Sequence, residues 1–482
     1  MSDSPRLQRS AAPRPGAGIV HFGPGAFFRA FIATFTADAL AAEGGDWGIT
    51  AVSLRSPGPR DQLAPQDGAF TSVTLSPEGA KHRIIEVIDR VLVAPEDPEA
   101  VLAALTDPAT RVVTLTITEK GYCHSPATGR LDLDHPDIRH DLGGALPRSA
   151  VGFLVEALDR RRRADIPPFT VLSCDNLPSN GDVTRGVVLD MARARDPELA
   201  IWIEAAVTFP SSMVDRITPA TTEADLAAVT RATGLRDAAA VLHEPFRQWV
   251  IEDRFPRGRP AWDAAGAQMV TSVEAHEAMK LRCLNGTHST LAYLGYLAGY
   301  ETIADTVADP AFAALCTHLW TREILPTLEQ PEGEDLPAYC AALLERYRNP
   351  AIRHRTWQIA MDGSQKLPQR ILGTIADRLT ATGAVPPGLS LAVAGWIRYV
   401  GGTDERGLPI DVRDPLAEVL RDALGGAGSP AEKVAAALDL GQVFPATLAG
   451  SDAFRTAVTE ALDGLTRFGA RASVANLVAR QG

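Results

Sequence analysis

The chain has 482 residues, 45% of them hydrophobic and 22% charged, with a formal net charge of -12. That length exceeds one ordinary core and predicts roughly two or three domains, while the composition excludes a disordered or membrane-embedded chain. The acidic balance argues against a broad basic footprint for nucleic acid or an anionic membrane, although a small anionic substrate needs only a local basic pocket.

In chain order, 1-MSDSPRLQRSAAPRPGAG-18 is basic and rich in proline and glycine, with no apolar core of a signal peptide; residues 1–17 read as a disordered arm. From Gly18, short apolar runs alternate with helical stretches, the pattern of a Rossmann-type α/β domain with a parallel sheet. The run 18-GIVHF-22 reads as a buried strand, 23-GPGAFFRAFIATFTADAL-40 as a glycine turn feeding a helix, and 48-GITAVSL-54 as the next strand. Further strands are expected at 112-VVTLTIT-118 and 169-FTVLSCDN-176, with an amphipathic helix over 148–164 whose basic tail suits a helix C-terminus. After about residue 260 helical windows follow one another (274–300, 306–325, 335–347, 386–399, 430–439, 452–465) with no alternating strand pattern. The expected organisation is an α/β Rossmann-type dinucleotide-binding domain over 18–265 and an all-α substrate-binding and catalytic domain over 266–482.

No window reaches 18 uninterrupted apolar residues, so no membrane span is expected. Five cysteines, widely spread and without a CxxC pair, read as reduced thiols of a cytoplasmic protein; neither a disulfide framework nor a zinc site is indicated, and no metal is expected.

Gly23 and Gly25 occupy the place where a Rossmann strand turns to let its backbone approach a pyrophosphate. The third position of GxGxxG is Phe28, so the turn alone fits a nucleotide site and an ordinary strand-to-helix turn equally well. The acid expected after the second strand is missing. Arg55 and Ser56 stand there, and an arginine there fits a 2'-phosphate or a solvated loop, which leaves NAD and NADP both open.

The stretch 280-KLRCLNGTHS-289 is polar inside an otherwise apolar helix. Reducing a ketone by hydride transfer needs a proton donor for the new alcohol and hydrogen-bond donors to hold its oxygen. Lys280, Asn285 and Asn176 are of those types. On an ideal helix Glu277, Lys280, Asn285 and His288 span an arc of about 140 degrees, which is either a buried polar network or a site; the Asn285–Gly286 pair is where such geometry would break.

Those residues lie in stretches that resemble the mannitol dehydrogenase family of long-chain, metal-independent polyol dehydrogenases: 19-IVHFGPGAFFRAF-31, 114-TLTITEKGY-122, 171-VLSCDNLPSNG-181, 209-FPSSMVDRITPATT-222 and 277-EAMKLRCLNGTHS-289. The stretches 244-EPFRQWVIEDRF-255, 353-RHRTWQIAMDGSQKLPQR-370 and 395-GWIRYVGGTDERGLPIDVRDP-415 resemble its fructuronate reductase branch. The resemblance implies a catalytic Lys280 in a KxxxxNxxH motif, Asn176 and Asn285 as an oxyanion hole, and His288 and Glu277 beside them. It places Asp215, Lys366 and Arg370 on the substrate, the last two alternatively a solvated helix end. Gly23, Gly25, Ala26, Phe27, Arg55, Thr118 and Glu119 would face the cofactor, NAD with NADP left open. Two departures stand out: Phe28 and Phe31 replace usual histidines, and Gln358 stands near the position of an arginine that contacts polyols, which favours a uronate.

The expected activity is NAD-dependent reduction of D-fructuronate to D-mannonate, a step of hexuronate breakdown, by a monomer or small homo-oligomer. The alternatives are a mannitol 2-dehydrogenase, another ketose or tagaturonate reductase, or a nucleotide-binding protein without turnover.

Overall fold

The computed structural model describes residues 4–125 and 128–481, and the chain divides into two compact units, Met1–Glu274 and Ala275–Gly482. Unit 1 is built on a five-stranded sheet of β1 (Ala17–Phe22), β2 (Gly48–Ser53), β5 (Ile88–Val93), β6 (Val112–Leu115) and β7 (Thr170–Ser173), in the order β5-β2-β1-β6-β7. All four pairings are parallel. These strands are short continuous apolar runs because both sheet faces are covered. Val20, Phe22, Val52, Val113 and Val171 pack on one face against helices 98–106, 150–163 and 180–195. Ile19, Ile49, Val112 and Leu172 pack on the other against Phe28, Phe31, Phe35, Trp249 and Trp262.

The helix expected over 148–164 runs from Ala150 to Arg163; the Ser149 hydroxyl caps it by accepting the Gly152 N–H at 2.9 Å. The helix expected after the glycine turn is interrupted. Ala26–Ala30 and Ile32–Glu43 are separate segments, with Phe31 between them at φ -124, ψ -80.

Two small sheets complete unit 1: β4 (Gly79–Ile85), β3 (Phe70–Ser76) and β9 (Val241–His243); and β11 (Gln268–Val270), β10 (Gln248–Glu252) and β8 (Ser212–Asp215). Strand β11 corrects the expectation that no strand follows residue 260. It pairs in parallel with β10, within the compact unit that runs to Glu274.

The opening segment is also not a free arm over its described residues. Leu7 is buried, its N–H donates to the Arg236 carbonyl at 2.9 Å, and the Pro5 carbonyl accepts from Arg236 N–H at 2.8 Å. Ser10 bonds Glu86, and Arg14 pairs with Asp67 and Asp89. One buried leucine and a set of backbone and ionic contacts hold a segment whose composition alone reads as loose.

Among its described residues unit 2 has no strand. Its single core joins helices Thr287–Leu297, Pro310–His318, Leu336–Tyr347, Pro387–Val400 and Asp452–Gln481, the last kinked at Gly469. Helical segments at 356–382 and 417–425, which the sequence reading did not single out, complete it. The five cysteines are free and buried, and no helix among the described residues is long and apolar enough to cross a membrane.

Candidate active site

In unit 1 the residues expected to face a cofactor lie at the carboxyl ends of the parallel strands. Gly23 has φ +92, and a Cβ there would stand 2.1 Å from the Thr116 carbonyl, so only glycine fits between β1 and the end of β6. Gly25 N–H donates to Gly23 O at 2.7 Å, and the segment from Ala26, which includes Phe27, starts without a side-chain cap. The third position of the glycine pattern, normally a glycine for close helix-to-strand packing, is filled differently. Phe28 lies flat on the buried His21 ring at 3.8 Å between centroids. His21 in turn contacts Thr114 Oγ1 (2.8 Å), Thr116 Oγ1 (3.0 Å) and the Gly23 carbonyl (3.2 Å). Burial pushes His21 down to about 3, so it acts here as a neutral hydrogen-bonding block under the turn. Phe31 stacks at 5.0 Å on Phe27 and joins Phe35 and Trp249. Both phenylalanines that replace histidines therefore serve the core.

Thr118 and Glu119 lie where the chain turns sharply after β6. Thr118 has φ 63, ψ 163, unusual for a β-branched residue, and Glu119 opens a 3-10 turn ending at Tyr122. That conformation is held by Asp175, just past β7. Its carboxylate accepts Ile117 N–H at 2.9 Å, Thr118 N–H at 3.0 Å and the Tyr122 hydroxyl at 2.8 Å. Burial raises the Asp175 carboxyl and holds the Tyr122 phenol well above its ordinary range. Asn176 follows directly, and Asn180 secures this strand end by donating to the Asp175 carbonyl (3.0 Å) and the Ser212 carbonyl (2.8 Å). Asp215, buried at the end of β8, is in register with Gln248.

Arg55, beyond β2, is exposed but engaged: its guanidinium lies 2.9 Å from the Asp137 carboxylate. The two face a cavity of about 600 Å³, lined also by Leu54, Ala94, His140 and Arg148, at the ends of β2 and β5.

In unit 2 the polar stretch is not an ideal helix. Lys280–Gly286 is a π-helical segment between helices Glu274–Met279 and Thr287–Leu297. Its i to i+5 repeat brings Lys280 and Asn285 closer to one face than 100 degrees per residue allows, and such segments concentrate at functional sites. The wider turn disturbs the carbonyl ladder, and side chains satisfy it. Cys283 O accepts from Trp320 Nε1 (2.9 Å) and Thr287 Oγ1 (2.5 Å), and Leu284 O accepts from the Tyr347 hydroxyl (3.0 Å). Gly286 does not break the helix. A Cβ there would lie 2.8 Å from the Arg370 carbonyl, so glycine lets the segment Pro368–Leu372 pack against the π turn.

Lys280 and His288 are buried, while Glu277 and Asn285 are partly buried. The His288 ring stacks on Tyr347 at 5.4 Å and meets His354 edge-on at 4.6 Å. Burial, with His354, Arg370, Arg346 and Lys366 nearby, holds its imidazole well below the usual range. Arg370 donates to Ser289 Oγ at 3.1 Å. Lys366 Nζ donates to the carbonyls of Met361 (2.5 Å) and Ile359 (3.3 Å), so it also fixes the loop ahead of it. Gln358 is exposed. Sequence reasoning passed over Asp175, Asn180, Arg346 and His354; the CDN and RHR triplets were the available signals for Asp175 and His354. Among the described residues no group of three or more His, Cys, Asp or Glu side chains is placed to hold a metal ion.

A parallel sheet in the order 3-2-1-4-5, a glycine-only turn after its first strand and a buried lysine on a polar π segment define a Rossmann-type dehydrogenase with a helical second unit. Comparison with known proteins gives its lineage: residues 17–264 match the mannitol dehydrogenase Rossmann domain and residues 272–466 the mannitol dehydrogenase C-terminal domain. The chain belongs to the mannitol dehydrogenase family of oxidoreductases. It is 48% identical to the D-mannonate oxidoreductase of Escherichia coli over 95% of both chains. It is 39% identical to a mannitol 2-dehydrogenase of Aspergillus fumigatus over 96% of this chain and 93% of that one. The ternary complex of Pseudomonas fluorescens mannitol 2-dehydrogenase with NAD and D-mannitol is similar in structure, with a TM-score of 0.86 and 38% identity over 99% of this chain and 97% of that one.

Proposed function

We propose that this protein is an NAD-dependent, metal-independent fructuronate reductase that interconverts D-fructuronate and D-mannonate, a step of hexuronate breakdown in the cytoplasm. The observation that carries the reading is the set of basic side chains, Arg346, Lys366 and Arg370, around the buried His288. An uncharged polyol has no use for that concentration of positive charge, whereas a uronate carboxylate does. The similarity to a D-mannonate oxidoreductase supports the same substrate class.

Gly23 and Gly25, the main chain of Ala26 and Phe27, and Thr118 and Glu119 would hold the dinucleotide, with Arg55 toward its adenosine end. The glycine-only turn and the cavity beyond β2 and β5 suit that group. When bound, the reduced nicotinamide supplies the hydride for the ketone carbon. Lys280 donates a proton to the oxygen as it becomes an alcohol and takes it back in the reverse direction. Asn176 and Asn285 donate amide N–H groups to that oxygen while its charge develops. Glu277 accompanies the proton path, Asp215 binds substrate hydroxyls, and His288 binds a hydroxyl or the carboxylate of the substrate. Arg370 and Lys366 attract the carboxylate, Lys366 also by holding the loop of Ile359 and Met361. NAD is favoured over NADP because the Asp137 carboxylate already engages Arg55 and would repel a 2'-phosphate.

A second reading, a mannitol 2-dehydrogenase, is favoured by the likeness to the Pseudomonas fluorescens enzyme. NADH consumption with D-fructuronate, D-tagaturonate and D-fructose measured side by side separates the two. The proposal expects D-fructuronate to have the highest kcat/KM, and a preference for D-fructose overturns it.

A further inference from the structure

Among the imidazole nitrogens of unit 2 that are buried without a hydrogen-bond partner, His288 Nε2 and His354 Nδ1 belong to rings in edge-on contact, 4.6 Å between centroids. Buried polar atoms in folded proteins are nearly always paired, so two such atoms on rings in mutual contact point to a ligand that supplies the partners. His288 is only 8% exposed.

The main chain around His354 is clamped. Its N–H donates to Ile352 O at 2.8 Å, its carbonyl accepts Ile303 N–H at 3.0 Å, and Thr356 N–H donates to Glu301 O at 3.0 Å. Thr302 and Arg355 form a bridge beside it. The clamped backbone fixes where the His354 side chain starts and the contact with His288 restricts its ring, which lowers the cost of ordering it on binding. Tyr347 stacks on the His288 ring at 5.4 Å, a contact that restrains the imidazole.

We infer that His354 is a specificity-determining residue which, together with His288, hydrogen-bonds the carboxylate end of a sugar-acid substrate. The surroundings set the class of ligand. Lys366 acts on both imidazoles, and Arg346 and Arg370 act on His288, so the local field is positive. Burial, reinforced by Lys366, pushes His354 down to about 4, which leaves it neutral at pH 7. A neutral imidazole has one N–H donor. Protonated at the two unpartnered nitrogens, the pair offers two N–H donors in a positive field, a pattern that matches two carboxylate oxygens better than a neutral hydroxymethyl group. This inference rests on the proposed keto-uronate activity and adds a residue and a contact to it.

The test compares wild type, His354→Ala and His354→Asn, whose amide restores a short N–H donor. Steady-state kcat/KM for D-fructuronate is measured beside competitive inhibition by D-mannonate and by D-mannitol. His354→Ala is expected to lose roughly 10- to 100-fold in kcat/KM for D-fructuronate and in D-mannonate affinity, the size of one hydrogen bond to a charged group. D-Mannitol inhibition should change less than about threefold, and His354→Asn should recover part of the loss. If D-mannonate and D-mannitol weaken equally in the variants, or neither weakens, the inference is overturned while the activity stands. A wild-type protein inactive on D-fructuronate overturns the proposed function, and this inference with it. Should His354→Ala fail to fold, His354→Asn decides by the same ratio.

Discussion

The carboxylate of Asp175 holds the backbone of Thr118: it accepts the N–H groups of Ile117 and Thr118 at 2.9 and 3.0 Å while Thr118 stays at φ 63. A β-branched residue in that region is strained by about 1 to 3 kcal/mol, and the conformation persists only where its surroundings impose it. Asp175 thereby joins the carboxyl ends of β6 and β7, the two strand ends that carry Thr118, Glu119 and Asn176.

Removing that carboxylate takes the acceptor from the N–H groups of the half-buried Ile117 and the exposed Thr118, and leaves the Tyr122 hydroxyl with Ser173 alone. Asp175→Ala is therefore expected to lower the unfolding free energy by about 3 kcal/mol. Denaturant unfolding measures the loss, and amide hydrogen exchange at Ile117 and Thr118 should accelerate with it. Unchanged exchange at those two amides would mean that the turn holds itself.

In the proposed cofactor site the Asp137 carboxylate, 2.9 Å from the Arg55 guanidinium, would compete with an added phosphate. Asp137→Asn is expected to improve NADPH affinity relative to NADH by roughly tenfold, about 1.4 kcal/mol. Fluorescence titration of both reduced dinucleotides gives the ratio without catalysis. An unaltered ratio would remove the pair from cofactor choice.

Histidines held neutral by burial make stability depend on pH, His276 and His288 among them. His21 titrates at about 3, and His243 and His354 at about 4, all pushed down mainly by burial. Because these values lie below the unfolded value near 6.5, the unfolded chain takes up the protons first as the pH falls. Their contribution is fully present above about 6.5 and is lost as the pH falls toward 4, by up to about 1.4 kcal/mol per pH unit for each ring. Urea unfolding at pH 7, 6, 5 and 4.5 should show that decline, with a shallower slope for His354→Asn. A slope unaltered by His354→Asn would contradict the assignment.

What was legible in the sequence follows from burial. Strands β1, β2, β6 and β7 announce themselves as apolar runs because both faces of the sheet are covered. Strand β4, 79-GAKHRII-85, is exposed along most of its length, and β8 (SMVD), β9 (VLH) and β11 (QMV) each hold only two apolar residues, too few to mark a strand. The opening segment reads as loose because the contacts that hold it come from Asp67, Glu86, Asp89 and Arg236, far along the chain.

The candidate site was legible where residue type speaks for chemistry, as with Lys280, Asn285 and the glycine turn. Its geometry was not. A 100-degree periodicity cannot reveal the π segment, whose stability depends on donors from Trp320 and Tyr347, 37 and 63 residues from the carbonyls they serve. Phe28 weakened the glycine pattern on paper, yet it packs on His21 beneath the turn. Asp175 and His354 stand in the CDN and RHR triplets, but neither triplet by itself states a role. Each gains its meaning from atoms brought together only by the fold: the Ile117 and Thr118 amides for one, the His288 ring for the other.

The central claim is that Lys280, buried at the start of the π segment, moves the proton at the reacting oxygen. The most direct measurement is kcat of Lys280→Ala with NADH and D-fructuronate, alongside NADH affinity by fluorescence titration. The account predicts a fall in kcat of about 10²- to 10⁴-fold, the usual share of a positioned acid or base, with NADH affinity unchanged within about twofold. Turnover close to that of the wild type in a folded, NADH-binding variant would contradict it.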